Sequence, residues 1–412
     1  RYGRNNRKGY GAIGTWNAEC GMRNAEYGRQ QAGCRLSIVF PENTAFDYYP
    51  KLAEKFVEVF MQRLINKILV IRFSSIGDIV LTTPVLRTLR ERYPYAKVCF
   101  LIKKEFLEIT KLFPHIDKVF VFDSKDGFRG LMKLIGEINS ERFDLLIDLH
   151  WNLRSILIYL FSQIRHKIHY SKHRFLRLLR IWFKWQILPQ QAHIIDLYFN
   201  PLTEFGILSS DNRVPELKID KDMGKNVIEC LKELGIEDKD LVIGMCPGAK
   251  WETKQWPIEG FVETGNRLME ELNAKIVLIG DAHDLELGKR IEAWMDKKPL
   301  NLINWTSLLE LPSLIQRCDV LIANDSAPLH IAAALGVSTV SLFGPTTLDL
   351  GFGPHGNGKH IVLEVDLPCR PCSSHGSRKC PKNTHECMIA IGSEDVVNAV
   401  KNLLDVLSVS EQ

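Results

Sequence analysis

No apolar run in this 412-residue chain reaches the ~18 residues that a membrane-spanning helix needs. Neither sign of charge dominates, with 53 Lys and Arg against 49 Asp and Glu. The formal net charge of +4 gives no general reason to expect a polyanion as partner. The opening segment, RYGRNNRKGYGAIG, contains no apolar core of the kind a secretory leader carries, so a cytoplasmic location is the expectation. No G-x-G-x-x-G follows the first strand-like run of either half of the chain, which weakens a dinucleotide-dependent oxidoreductase. Of the ten cysteines, six (Cys20, Cys34, Cys99, Cys230, Cys246 and Cys318) are scattered without metal-ligand spacing, as reduced thiols would be.

What remains is a globular composition, 45% hydrophobic and 25% charged, on a chain long enough for two cores at roughly 150 residues each. Residues 1–60 stand apart, with seven glycines, six arginines and little periodicity. They read as a poorly ordered extension in which only Pro50 to Phe60 suits a helix, and Met61 is a candidate natural start. From Lys67 the chain alternates short β-rich runs (KILVIRF, AKVCFLI, DKVFVFD, FDLLIDL) with helical stretches such as 79–92 and 128–140. After a break the alternation resumes with a helix at 222–234 and the runs LVIGMCPG, AKIVLIGD, DVLIAND and STVSLFGP. Near-continuous apolar strands separated by helices predict parallel sheets covered on both faces. The expected class is therefore α/β, with two Rossmann-like, doubly wound domains at 61–220 and 221–412 facing across a cleft.

Three strand ends carry residues suited to chemistry at such a cleft. In Ser74-Ser75-Ile76-Gly77-Asp78, Gly77 permits close backbone approach, and Asp78 is either a helix cap or a base held as an anion by the helix start. In CPGAKWETKQWP, Gly248 closes the strand, and Lys250 and Lys254 are either solvated or placed to offset a diphosphate. In ANDSAPLHIAAALG, Asp325 and Ser326 precede a slim helix whose free N–H groups suit an anion, with His330 one turn along. Two Asp-x-Asp pairs of the metal-binding type, Asp220/Asp222 and Asp238/Asp240, lie in lysine-rich turns and read as caps and solvated faces.

Four segments in this order and spacing, RFSSIGDIVLTTPVLRTLR, DLHWNLRS, CPGAKWETKQWP and NDSAPLHIAAALGVSTVSLFGPT, resemble glycosyltransferase family 9, the ADP-heptose:lipopolysaccharide heptosyltransferases. The resemblance runs from Lys67 to the C-terminus and is closer to the second heptosyltransferase of the inner core than to the first. It implies a GT-B fold with an N-terminal acceptor domain and a C-terminal nucleotide-sugar domain. It further implies an inverting, metal-independent transfer of heptose from ADP-heptose to a Kdo-lipid A or heptosyl-Kdo-lipid A acceptor, with no cofactor. By that resemblance Asp78 is the catalytic base and Lys254 the donor-phosphate lysine, while Asp325, Ser326 and His330 touch the nucleotide-sugar, with Gly77, Gly248 and Ala327 beside the donor. Many members have glycine where this chain has Ala327, and a methyl there limits backbone approach to the phosphate. Ser75, Arg154, Arg174 and Arg177 are the acceptor-side candidates.

Two features fall outside the motifs. Arg165 to Trp185 holds seven Lys/Arg, three His, five aromatics and no acid. It suits anionic lipid and an acceptor on the cytoplasmic face of the inner membrane, and it would also suit nucleic acid, or simply be a snorkelling helix face. Cys369, Cys372, Cys380 and Cys387 are spaced C-x2-C-x7-C-x6-C, which is compatible with a structural zinc or cluster site or with packed, reduced thiols. A nucleic-acid-binding protein with a zinc module is the competing class, but it leaves the strand-end motifs unexplained. Within the enzyme class the alternative is a family 9 transferase that uses another nucleotide sugar, and no nucleic-acid partner is expected.

Overall fold

A computed structural model describes residues 65–171, 174–184, 193–207 and 212–410, and the side chains of 174–178, 204 and 406–410 lie outside that description. The expected N-terminal extension, its helix at Pro50 to Phe60 and the side chains of Arg174 and Arg177 therefore fall outside the described residues.

Residues 65–412 form one compact unit built on two parallel sheets. The first contains β1 (Lys67–Ile71), β2 (Lys97–Lys103), β3 (Lys118–Phe122), β4 (Leu145–Asp148) and β5 (His166–His169), in spatial order β3-β2-β1-β4-β5. The second contains β6 (Val242–Cys246), β7 (Lys275–Leu278), β8 (Leu300–Asn301), β9 (Val320–Asn324), β10 (Ser338–Phe343) and β11 (His360–Glu364), in order β11-β10-β9-β6-β7-β8. Both orders reverse direction beside the first strand of the sheet, between β1 and β4 and between β6 and β9. Such a reversal opens a crevice at the carboxyl ends of the strands, which is where ligands bind in this architecture.

The helices of the first lobe are α1 (Ile76–Val80), α2 (Thr83–Arg92), α3 (Gly127–Ser140), α4 (Leu153–Phe161), α5 (Arg174–Phe183) and α6 (Ile194–Glu204). Those that follow are α7 (Lys221–Glu233), α8 (Ile258–Glu271), α9 (Leu285–Trp294), α10 (Leu311–Gln316), α11 (Ala327–Ala334), α12 (Glu386–Ile389) and α13 (Ser393–Ser410). Apolar residues on both faces of the strands explain why helices cover both faces of the sheets. In β1, Leu69 and Ile71 pack toward α3 and α4, while Ile68 and Val70 face the side of α2 and α6. In β6, Ile243 and Met245 meet α8 and α13, and each such fully buried side chain stabilises the fold by about 1.5–3 kcal/mol. A single buried apolar cluster runs through both lobes, from Val70 and Ile79 to Leu329 and Ile331.

Two expectations change. The helix anticipated over 79–92 is broken into α1 and α2, because Pro84 has no N–H to offer the Val80 carbonyl. The Thr83 hydroxyl donates to Val80 O at 2.9 Å instead. The basic stretch is not a single helix face either: His166–His169 is the edge strand β5, paired in parallel with β4, and Arg174–Phe183 is helical.

Candidate active site

Asp78 stands at the third position of α1, directly beyond β1, with Ser75 as the N-cap. Its Oδ2 accepts from the Ser75 backbone N–H at 3.1 Å and from the Ser75 hydroxyl at 2.8 Å. Its Oδ1 pairs with Arg72 Nη2 at 2.9 Å. Burial by itself would raise the pKa of this carboxyl, but the Arg72 guanidinium and the Ser75 donors override it and hold the group at about 2. The side chain keeps 20% exposure, so an anion with an accessible edge faces the crevice of the first sheet. Arg154 lies in the first turn of α4 after β4, with its guanidinium 5.7 Å from the centre of the Phe122 ring.

The second sheet brings its own two strand ends together. Lys254 follows β6, and its ammonium donates to Asp325 Oδ2 at 2.5 Å and lies 3.5 Å from the Asp325 carbonyl. Asp325 follows β9 and also accepts from the Thr346 hydroxyl at 2.7 Å. Asn324 ties the two loops together, accepting from Trp256 N–H at 3.1 Å and donating to Pro247 O at 2.8 Å. Ser326 is the N-cap of α11, yet its hydroxyl makes no capping bond and has no partner. The first-turn N–H groups, headed by Ala327, are thus left to an incoming acceptor such as a phosphate oxygen.

His330 joins the two halves. It is 6% exposed, its Nδ1 has no partner, and burial lowers its pKa so that the ring is neutral. Asp325 and Asp78 both act on it electrostatically against that shift, and Lys254 acts with it. One ring on the second lobe therefore lies within electrostatic reach of the carboxylate of the first lobe and of the Lys254–Asp325 pair. Gly77 is what permits the approach: a Cβ there would lie 2.5 Å from His330 Cδ2. Gly248 makes room in the same way, since a Cβ there would meet the Asp284 carboxylate at 2.1 Å. Gly77 was read as making room for a ligand, and Gly248 as closing the strand beside the donor; in each case a side chain of the chain itself is the nearest neighbour.

The other candidates sort as follows. Asp220 caps α7 by accepting from the N–H groups of Asp222 and Met223, and Asp238 pairs with Lys232 at 2.7 Å. The four clustered cysteines line one cavity with Trp182 and Lys184. Among the described residues, no three metal-ligating side chains are grouped to hold an ion. Sequence reasoning missed Arg72, Thr346 and Arg370. Arg370 is 7% exposed and donates to the carbonyls of Gly344, Val365, Phe343 and Thr346 and to Glu364, which fixes the loop that presents Thr346 to Asp325. Arg72 left a visible signal: it is a lone cation closing an apolar strand, six residues before an acid.

Comparison with known proteins bears on the fold and the family. Lipopolysaccharide heptosyltransferase 2 of Escherichia coli K12 is 26% identical over 354 residues, covering 82% of this chain and 98% of that protein. The crystal structure of a family 9 glycosyl transferase from Veillonella parvula superimposes with a TM-score of 0.69 at 25% identity, covering 82% of this chain and 97% of the other. The structure of Escherichia coli ADP-heptose lps heptosyltransferase II gives a TM-score of 0.66 at 23% identity, covering 83% and 99%, so the fold is GT-B. The profile of glycosyltransferase family 9 (heptosyltransferase) matches residues 131–382, more than half of the sequence, and the chain belongs to that family.

Proposed function

We propose that this chain moves L-glycero-D-manno-heptose from ADP-heptose to the inner core of lipopolysaccharide, inverting the anomeric centre and using no divalent ion. The observation that carries the reading is His330, which lies within electrostatic reach of Asp78 on one side and of Lys254 and Asp325 on the other. Asp78 takes the proton of an acceptor hydroxyl as that oxygen bonds to the anomeric carbon. The bond from that carbon to the diphosphate breaks, and ADP leaves with the electron pair. The ammonium of Lys254 and the N–H groups at the start of α11 stabilise the charge that develops on the diphosphate. General-base assistance of this kind is worth about 10²–10⁴ in rate, so Asp78→Asn should lower turnover at least a hundredfold while leaving ADP binding intact.

Exposed apolar side chains support contact of the first lobe with the cytoplasmic face of the inner membrane: Leu153, Leu160 and Phe161 on α4, and Trp182 and Phe183 on α5. No helix among the described residues is long and apolar enough to cross a membrane, so the contact proposed is peripheral. The deciding experiment is turnover of ADP-heptose with inner-core lipid A acceptors, with and without chelator, with other nucleotide sugars as controls and the product anomer read by NMR. Transfer from a different nucleotide sugar alone, or an absolute need for metal, would overturn the corresponding part of the proposal.

A further inference from the structure

We infer that Arg72 is the positioning residue for the transfer: it fixes the Asp78 carboxylate through Oδ1 and keeps it anionic beside a diphosphate. The inference rests on the reading of Asp78 as the base.

Arg72 is one residue past the end of β1 and only 5% exposed. A guanidinium in that setting has to be fully occupied, since an unpaired buried cation is strongly disfavoured. Its fork divides three ways: Nε donates to Ser74 O at 2.9 Å, Nη1 to Leu149 O at 2.5 Å, and Nη2 pairs with Asp78 Oδ1 at 2.9 Å. Leu149 follows β4, so the side chain bridges the β1–β4 reversal where the crevice of the first sheet opens. The Tyr198 ring of α6 lies 5.6 Å below the guanidinium, and Tyr170, just beyond β5, packs edge-on against Tyr198. Planarity and a fixed donor pattern make this a role for arginine and not for lysine.

The electrostatic need follows from the reaction. An acceptor deprotonation in the same cleft as a diphosphate places the base in a negative field, which favours its protonated, inactive form. The groups that act on Asp78 from the elements around it are few: Arg72 at the end of β1, the Ser75 donors at the start of α1, and His330 on α11, which is neutral. Tyr198 and Tyr170 act on Arg72 itself. Among the described residues Arg72 is thus the cation in direct contact with the carboxylate, and it is held by the Ser74 and Leu149 carbonyls. It also occupies Oδ1 alone, so the two oxygens are not equivalent. Oδ2 accepts from the Ser75 N–H and hydroxyl, and Ser75 is exposed, so the carboxylate is held at both oxygens at the rim of the crevice.

The test compares the pH dependence of kcat/KM for wild type, Arg72→Lys, Arg72→Met and Asp78→Asn, together with ADP affinity and thermal melting. Wild type should keep its activity on the acid side to below about pH 4, since an ordinary aspartate would already titrate there. Arg72→Met should move the acid limb up by about one unit or more and lower kcat, with ADP affinity unchanged, because the residue lies on the first lobe. Arg72→Lys should hold the limb near its wild-type position while losing rate, because charge is kept and geometry is not. A folded Arg72→Met with the wild-type limb and kcat would overturn the inference. So would a wild-type limb already in the ordinary carboxylate range, a result that requires no variant to fold. If Asp78→Asn turned over normally, the base assignment itself would be the part that failed.

Discussion

Gly77 and His330 touch where the first lobe meets the second: the hydrogens on Gly77 Cα point at an imidazole edge that a Cβ would approach to 2.5 Å. Real side-chain carbons do not come that close, so Gly77→Ala has to displace the His330 ring or part α1 from α11. Overpacking of this kind costs about 1–3 kcal/mol. The expected outcome is a lower melting temperature and a fall in kcat with Asp78 unchanged, measured by calorimetry and turnover. A variant that matched wild type in both would show that the contact has no bearing on alignment of the site.

The Lys254–Asp325 pair predicts a separation of stability from binding. Asp325 is 8% exposed, so Lys254→Met leaves a buried carboxylate without its counter-charge, at a cost of about 3–5 kcal/mol. Adding Asp325→Asn removes that charge and should restore the melting temperature. ADP affinity should stay at least about tenfold weaker in both variants, because a charge-assisted contact is worth about 1.5–3 kcal/mol. Titration calorimetry with ADP decides it, and full recovery of affinity in the double variant would remove Lys254 from the donor site.

His193 makes the junction between α6 and the loop after β10 sensitive to acid. Its Nε2–H donates to Gly353 O at 3.0 Å and its Nδ1 accepts from Ile195 N–H at 3.3 Å, an arrangement that only the neutral ring can make. Burial lowers its pKa from the usual 6.5 to about 4, with the neighbouring His355 adding to the shift and the Gly353 carbonyl opposing it. The unfolded chain takes up a proton as pH falls through 6.5, and the folded chain resists until about 4. Stability is therefore complete above 6.5 and declines between 6.5 and 4, by about 3 kcal/mol from this group. Melting curves of wild type and His193→Asn across that range should converge as the pH drops. Parallel curves would assign the acid sensitivity elsewhere.

The central strands of both sheets were legible because they are apolar on both faces. KILVIRF and DVLIAND could be little else between helices. The edges were not. His166–His169 is polar and half-buried, and Leu300–Asn301 is two residues long, so neither carries a hydrophobic signal. The helix break at Pro84 was readable from proline chemistry and was passed over. At the site, Asp78, Lys254, Asp325, Ser326 and His330 were all singled out from strand-end patterns. Their partners were not, because proximity is set by topology: Arg72 meets a carbonyl 77 positions away, and Thr346 meets an acid 21 positions away. Gly77 was selected for a correct property, the absence of a side chain, while the neighbour that requires it lies on the other lobe.

The matching reversals of strand order in the two sheets have an engineering consequence. Each half of the chain carries its own crevice, assembled from its own first and fourth strands, and the halves also meet where Gly77 faces His330 and where His193 reaches Gly353. A chimaera that exchanges everything before α7 for the same portion of a relative would then be expected to inherit that relative's choice of lipid-linked sugar while keeping its appetite for the nucleotide.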